Sequence, residues 1–188
     1  MLNDCRMQPI RQLMQNLATL ANPEHCLFTS SDLRALLPNL SESAFKTLLS
    51  RAVQERHLAR ICRGLYLYEQ AAPTHGLLLF HAAAHLRADN FNYISLETVL
   101  SDAGVISQIP INRISIMSSG RSNNIACGRW GTIEFVHTRQ LPAKLANQLN
   151  YDVRCRMWRA TVSLALRDMR ATHRSMDLID WSVAHELI

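Results

Sequence analysis

Ser41, Ser43, Lys46, Thr47, Ser50, Arg51 and Gln54 recur on one side of a single amphipathic stretch, and Arg60 and Arg63 follow shortly after it. Short hydroxyls near a helix N-terminus bind phosphate together with backbone amides, while Lys, Arg and Gln are long enough to reach base edges. A helix presenting these side chains outward suits the major groove of double-stranded DNA, with Arg60 and Arg63 on neighbouring phosphates. Glu42 and Glu55 dilute the positive charge, so a solvated face on a protein-interaction module stays open as the alternative.

The flanking residues supply elements that would hold this face outward. Thr29 with Asp32 three residues later is an N-terminal capping pair, which predicts a short helix from Ser30 to Leu37. Pro38 stops it, and Ser41 caps a second helix whose core side would be Ala44, Phe45, Leu48, Leu49, Ala52 and Val53. Leu58, Ile61, Leu65 and Leu67 then form two short extended runs hinged at Arg63 and Gly64, a β-hairpin wing. Ahead of them, Pro9 to Ala21 reads as a helix with Ile10, Leu13, Met14, Leu17 and Leu20 on one side. The reading is a winged helix-turn-helix over residues 1–70, followed by a linker from Glu69 to Thr74.

Residues 74–188 are expected to form a second domain, giving an α+β protein whose C-terminal part packs helices on a small antiparallel sheet. His75 to Ala88 is helical by pattern. His81 and His85 lie four apart there, but no intervening Glu or third ligand accompanies them, so they read as packing or surface histidines. Ser95 caps and Gly104 stops a short helix, and strands follow at Ile111 to Met117, Ile125 to Cys127 and Thr132 to His137. Tyr151 to Thr172 reads as one long helix with Trp158, Val162, Ala165, Leu166 and Met169 on one side. Arg156, Arg159, Arg167, Arg170 and Arg174 form a stripe on the other. Three readings of that stripe stay open: a nucleic-acid surface, a docking face for an acidic protein, or a solvated face.

The run Tyr93-Ile94-Ser95 to Thr98-Val99-Leu100, continuing through Gly104-Val105-Ile106-Ser107-Gln108-Ile109-Pro110, follows a hairpin that ends in Arg63-Gly64-Leu65-Tyr66. In this order the chain resembles the AbiEi antitoxin family over residues 10–140 or so. The resemblance implies a transcriptional regulator that represses its own operon and counteracts a nucleotidyltransferase-like toxin encoded beside it. It implies no stable heterodimer with that toxin.

The remaining composition narrows the classes. With 48% hydrophobic residues the chain can bury a core, and a formal charge of +5 with a pI near 9.2 is compatible with nucleic acid or an acidic partner. There is no basic leader followed by an apolar run and no span long enough for a membrane, so a cytoplasmic protein with no membrane partner is expected. Cysteines 5, 26, 62, 127 and 155 are isolated, which reads as reduced thiols rather than a disulfide framework or zinc site. Neither a P-loop, a Gly-x-Ser-x-Gly nor the paired Asp-x-Asp of a nucleotidyltransferase occurs, so no catalytic residue, metal or cofactor is assigned and no enzyme is expected. The expected partner is the chain's own promoter, read as inverted repeats by a homodimer. A mobile-element regulator without a toxin and a winged-helix adaptor are the competing readings.

Overall fold

A computed structural model describes residues 8–72, 76–107 and 112–188. The chain divides into two compact units, Met1–His75 and Gly76–Ile188.

The first unit contains α1 (Pro9–Leu20), β1 (Leu27–Thr29), α2 (Ser30–Ala35), α3 (Glu42–Gln54), β2 (Ala59–Cys62) and β3 (Leu65–Leu67). Thr29 and Asp32 close a reciprocal capping box: the Asp32 amide donates to Thr29 Oγ1 at 3.1 Å, and the Thr29 amide donates to Asp32 Oδ2 at 2.7 Å. α2 ends at Ala35, and the Arg34 guanidinium donates to the carbonyls of Leu37 and Leu40, which locks the turn into α3. The Ala44 amide donates to Ser41 Oγ at 3.3 Å at the start of α3. Leu13 and Leu17 of α1, Leu33 of α2, Phe45, Leu48, Leu49 and Ala52 of α3, and Leu58 fill one core. Ala44, expected in that core, is exposed, and Val53 is only half-buried.

β2 and β3 form an antiparallel hairpin with a register irregularity between Arg60 and Cys62, and Gly64 at φ 78° supplies the left-handed turn residue. β1 adds antiparallel to β3, giving the order β1-β3-β2. This third strand is not in the sequence reading: it is three residues long, too short to show alternation, and its last residue, Thr29, is itself the cap of α2.

The second unit comprises α4 (Leu78–Leu86), β4 (Asn92–Ile94), α5 (Leu96–Asp102), β5 (Arg113–Ser118), β6 (Asn123–Ala126), β7 (Thr132–His137), α6 (Pro142–Leu145), β8 (Leu149–Asp152), β9 (Met157–Ala160), α7 (Val162–Ala171) and α8 (Trp181–Glu186). The α+β class is therefore observed, but the sheet is neither small nor antiparallel. Among the described residues it has six strands in the order β6-β7-β5-β4-β9-β8. β5 pairs with β7 in parallel, as does β4 with β9, whereas β4 with β5, β6 with β7 and β8 with β9 are antiparallel. The reason is where β6 goes: it takes the far edge of β7, so β7 meets β5 running the same way. Successive strand residues face opposite sides. α4 lies on the side of Phe135, where Arg87 stacks 4.2 Å from the ring centroid, and α7 lies on the side of Tyr93.

The long helix expected over Tyr151 to Thr172 is a hairpin followed by a shorter helix. Asp152 Oδ1 accepts from the amides of Arg154 (3.0 Å) and Cys155 (3.1 Å), Arg156 takes φ 54°, and the chain turns back as β9 between β8 and β4. Thr161 then caps α7 through the Leu164 amide at 3.3 Å. Pro73, Thr74 and His75 of the expected linker and helix start, and Gln108 to Ile111 of the expected strand and motif, lie outside the described residues. No helix among those described is long and apolar enough to cross a membrane.

One glycine ties two distant segments of this sheet. Gly131 has φ 120° and ψ −145°, a region essentially reserved for glycine, and a methyl group there would land on the Asn112 carbonyl, which accepts from the Thr132 amide at 2.8 Å. Gly131→Ala is expected to destabilise the second unit by about 1–3 kcal/mol from backbone strain alone, read as a lower denaturation midpoint.

Candidate functional site

All the polar residues singled out on α3 and the hairpin reach solvent: Ser41, Ser43, Lys46, Thr47, Ser50, Arg51, Gln54, Arg60 and Arg63 are exposed. α3 stands as a ridge between two grooves of the first unit. On one flank, toward β2 and β3, an open groove of about 440 Å³ is lined by Lys46, Ser50, Gln54, Arg60 and Arg63 above Phe45. On the other flank, toward the start of α1, a groove of about 530 Å³ is lined by Ser43, Thr47 and Arg51 with Ile10 and Leu48. The structure thus sets Ser43, Thr47 and Arg51 along one flank of α3 and Lys46, Ser50 and Gln54 along the other, the latter beside Arg60 and Arg63 of the hairpin, while Ser41 sits at the helix start.

The cations on the ridge have local partners. Lys46 Nζ lies 3.2 Å from Glu42, and Arg51 Nε donates to Glu55 at 2.7 Å. The Arg51 hydrogen bond, helped by His57, holds the Glu55 carboxyl below its usual range. These are exposed pairs one helical turn apart, screened by solvent and weak, so a phosphate can replace either carboxylate at little cost. Arg60 Nε donates to the Cys62 carbonyl at 3.3 Å across the hairpin irregularity.

The five late arginines do not make a stripe, because they sit on different elements. Arg156 is in the β8 to β9 turn, Arg159 in β9, Arg167 and Arg170 on α7, and Arg174 beyond it. Arg159 and Arg174 are tied to carboxylates of other elements. Arg159 donates to Asp102 at 2.6 Å and to Asp152 at 3.0 Å, joining the end of α5 to the hairpin. Arg174 donates to Glu97 at 2.8 Å and to Glu134 at 2.6 Å, joining α5 to β7. Burial works against the Glu134 charge, yet hydrogen bonds from Arg174 and Arg113 hold its carboxyl below the usual range. Arg156, Arg167 and Arg170 are exposed.

A buried polar cluster in the second unit escaped the sequence reading. Asp168 is 3% exposed, and its Oδ2 accepts from Ser95 Oγ at 2.7 Å and from the Tyr93 hydroxyl at 3.1 Å. Ser95 precedes α5 but spends its hydroxyl on Asp168 rather than on a helix cap. Thr98, three residues on, accepts from the Ser115 amide at 2.7 Å. The polar positions of the Tyr93 to Leu100 run therefore fasten α5, α7 and the sheet to one another. Burial raises the Asp168 carboxyl above its usual range against the pull of its two hydroxyl donors, and it raises Tyr93 too, aided by the Asp168 charge. His81, one of the paired histidines, is buried and donates from Nε2 to the Arg154 carbonyl at 2.8 Å.

These features define an α+β protein of two units whose polar residues concentrate on the α3 ridge of the first and in the buried ties of the second. No family model and no curated protein matches the chain. Among solved structures, the RV2827C protein from Mycobacterium tuberculosis shares the fold at a TM-score of 0.55 and 12% identity, over 90% of this chain and 64% of that one. At that identity the likeness carries the fold alone, and this chain spans 64% of that protein's length.

Because the folded Asp168 carboxyl is raised above its unfolded value, its ionisation costs stability as pH rises through the folded pKa. Asp168→Asn keeps an acceptor for Tyr93 and Ser95 without the charge, so it should lose that pH-dependent decline and match or exceed the parent near neutral pH. Asp168→Ala should cost about 1–3 kcal/mol by leaving two buried hydroxyls unpaired. Chemical denaturation across the acidic to neutral range separates the two.

Proposed function

We propose that the chain is an AbiEi-like antitoxin and DNA-binding autorepressor. In this reading the first unit is a winged helix-turn-helix in which α2 and α3 form the helix-turn-helix, β2 and β3 the wing, and α3 the helix that enters the major groove. The observation that carries it is the α3 ridge with cations and hydroxyls along both flanks. Thirteen residues give a helix about 20 Å long, and a ridge of helical diameter fits a groove about 12 Å wide. The two flanking grooves then face the two phosphate backbones. Ser41, Ser43 and Thr47 bind phosphate near the helix start, Lys46, Ser50, Arg51 and Gln54 reach base edges or phosphates, and Arg60 and Arg63 grip the backbone beside the wing.

The antitoxin part rests on the resemblance of the Tyr93 to Pro110 run and is assigned to the second unit. Its counterpart is a nucleotidyltransferase-like toxin, met as a functional antagonist rather than in an obligate complex. The pairing of Lys46 with Glu42 and of Arg51 with Glu55 favours, as a second reading, an adaptor whose winged helix meets protein instead of DNA.

Mobility-shift titration with the upstream promoter duplex tests the first part. Lys46→Ala combined with Arg51→Ala should weaken binding, and the slope of log affinity against log salt should fall by about 0.9 for every phosphate that the variant no longer neutralises. Unchanged affinity in the double variant would remove α3 from the interface. Co-expression with the neighbouring gene product tests the second part: restored growth supports the antitoxin, growth arrest unrelieved by this chain removes the antitoxin reading, and a neighbour that leaves growth untouched favours a regulator without a toxin.

A further inference from the structure

The sheet of the second unit leaves part of one face uncovered, and what stands there is not ordinary surface. Tyr151 of β8 and Trp158 of β9 are direct cross-strand partners, and their rings meet edge to face with centroids 5.4 Å apart. Both stay open to solvent, at 52% and 44%. The next residue along the same row is Tyr93 of β4, opposite Trp158, and it is fully buried because α7 covers it through Asp168. The cover stops at β9, which exposes two aromatic rings on adjacent strands of one sheet face.

Arginines lie on the segments next to these strands. Arg154 and Arg156 are exposed in the turn between the two strands, and Arg167 is exposed on α7 next to Asp168, on the sheet side that carries Trp158. Farther along, Arg170 of α7 stacks 5.6 Å from the centroid of Trp181, another part-exposed indole. Asp152 and Asp102, the carboxylates that Arg159 of β9 reaches, are both engaged by it. The choice of cation is pronounced: the chain has 18 Arg and 2 Lys, and guanidinium groups both pair with phosphates and stack on flat rings.

We propose that this face of β8, β9 and α7 binds single-stranded nucleic acid, with bases stacked on Tyr151 and Trp158 and the backbone held by Arg154, Arg156 and Arg167. Exposed aromatic side chains on neighbouring strands, flanked by arginine, are the recurring means of holding unpaired bases without reading a duplex. An acidic protein would satisfy the charges, but it has no systematic use for two exposed aromatic rings side by side on adjacent strands. The site is separate from the α3 ridge and does not depend on the reading of that ridge.

Fluorescence anisotropy of labelled oligouridine and oligothymidine, titrated with the full chain, tests the proposal, with tryptophan emission followed in parallel. Both strands should bind and quench tryptophan, and a preference for oligouridine would identify RNA as the source. Trp158→Leu should weaken binding about tenfold, and Arg154→Gln combined with Arg156→Gln should lower the salt slope by about 0.7 for each arginine that had neutralised a phosphate. Promoter-duplex binding is measured on the same Trp158→Leu and arginine variants, and single-strand binding lost while duplex binding is kept reads a failure here apart from a failure on the α3 ridge. Tyr151→Ala and the arginine pair carry the test if circular dichroism shows that Trp158→Leu does not fold. Absence of binding by either strand, or affinity indifferent to removal of the rings, overturns the proposal. Polyglutamate competing as well as oligouridine does too, and would mark the face as a dock for acidic protein.

Discussion

Burying Phe45, Leu48, Leu49 and Ala52 against Leu13, Leu17 and Leu33 fixes the rotation of α3 about its own axis. With one side committed to the core, the helix has a single way to present Ser43, Lys46, Thr47, Ser50, Arg51 and Gln54, which is outward. Its ends are set as firmly, by the Ser41 cap and by the Arg34 guanidinium that holds the preceding turn. Emptying this core with a Leu17→Ala change creates a cavity costing about 2–5 kcal/mol, a large share of what a small unit has to spare. The polar ridge is thus a consequence of apolar packing, and its function cannot be altered by changes in the core without endangering the fold.

The second unit depends on a different kind of bond. Asp168 draws Tyr93 and Ser95 onto α7, and Arg174 spans Glu97 and Glu134, so helices and sheet are joined by buried or half-buried polar ties as well as by apolar contact. Such ties specify one arrangement because each group that loses its partner is stranded away from water. The positions that make the Tyr93 to Leu100 run distinctive are these structural ties, which assigns the run to folding.

The first unit was legible because its signals are local. Capping at Thr29 and Ser41, the stop at Pro38, the turn at Gly64 and the helical spacing of α3 each follow from a few neighbouring residues. The second unit was harder because its pairings are distant. Alternation at Ile114 and Ile116 reports a buried face and says nothing of strand direction, so parallel pairing with β7 was invisible. The hairpin at 149–160 turns on Val153-Arg154-Cys155-Arg156, without glycine, proline or asparagine, and the apolar residues that flank it fall by chance at helical intervals. That coincidence produced the arginine stripe. The available clue to Asp168 was an acidic residue among Leu164, Ala165, Leu166 and Met169, on the side of α7 that packs inward.

Amide chemical-shift mapping of the intact chain with its promoter duplex addresses the central claim most directly. The account predicts the largest perturbations at residues 41–54 of α3 and at Arg60 and Arg63, with the α1 side of the core unmoved. Perturbations confined to the second unit, with α3 silent at saturating duplex, would contradict it.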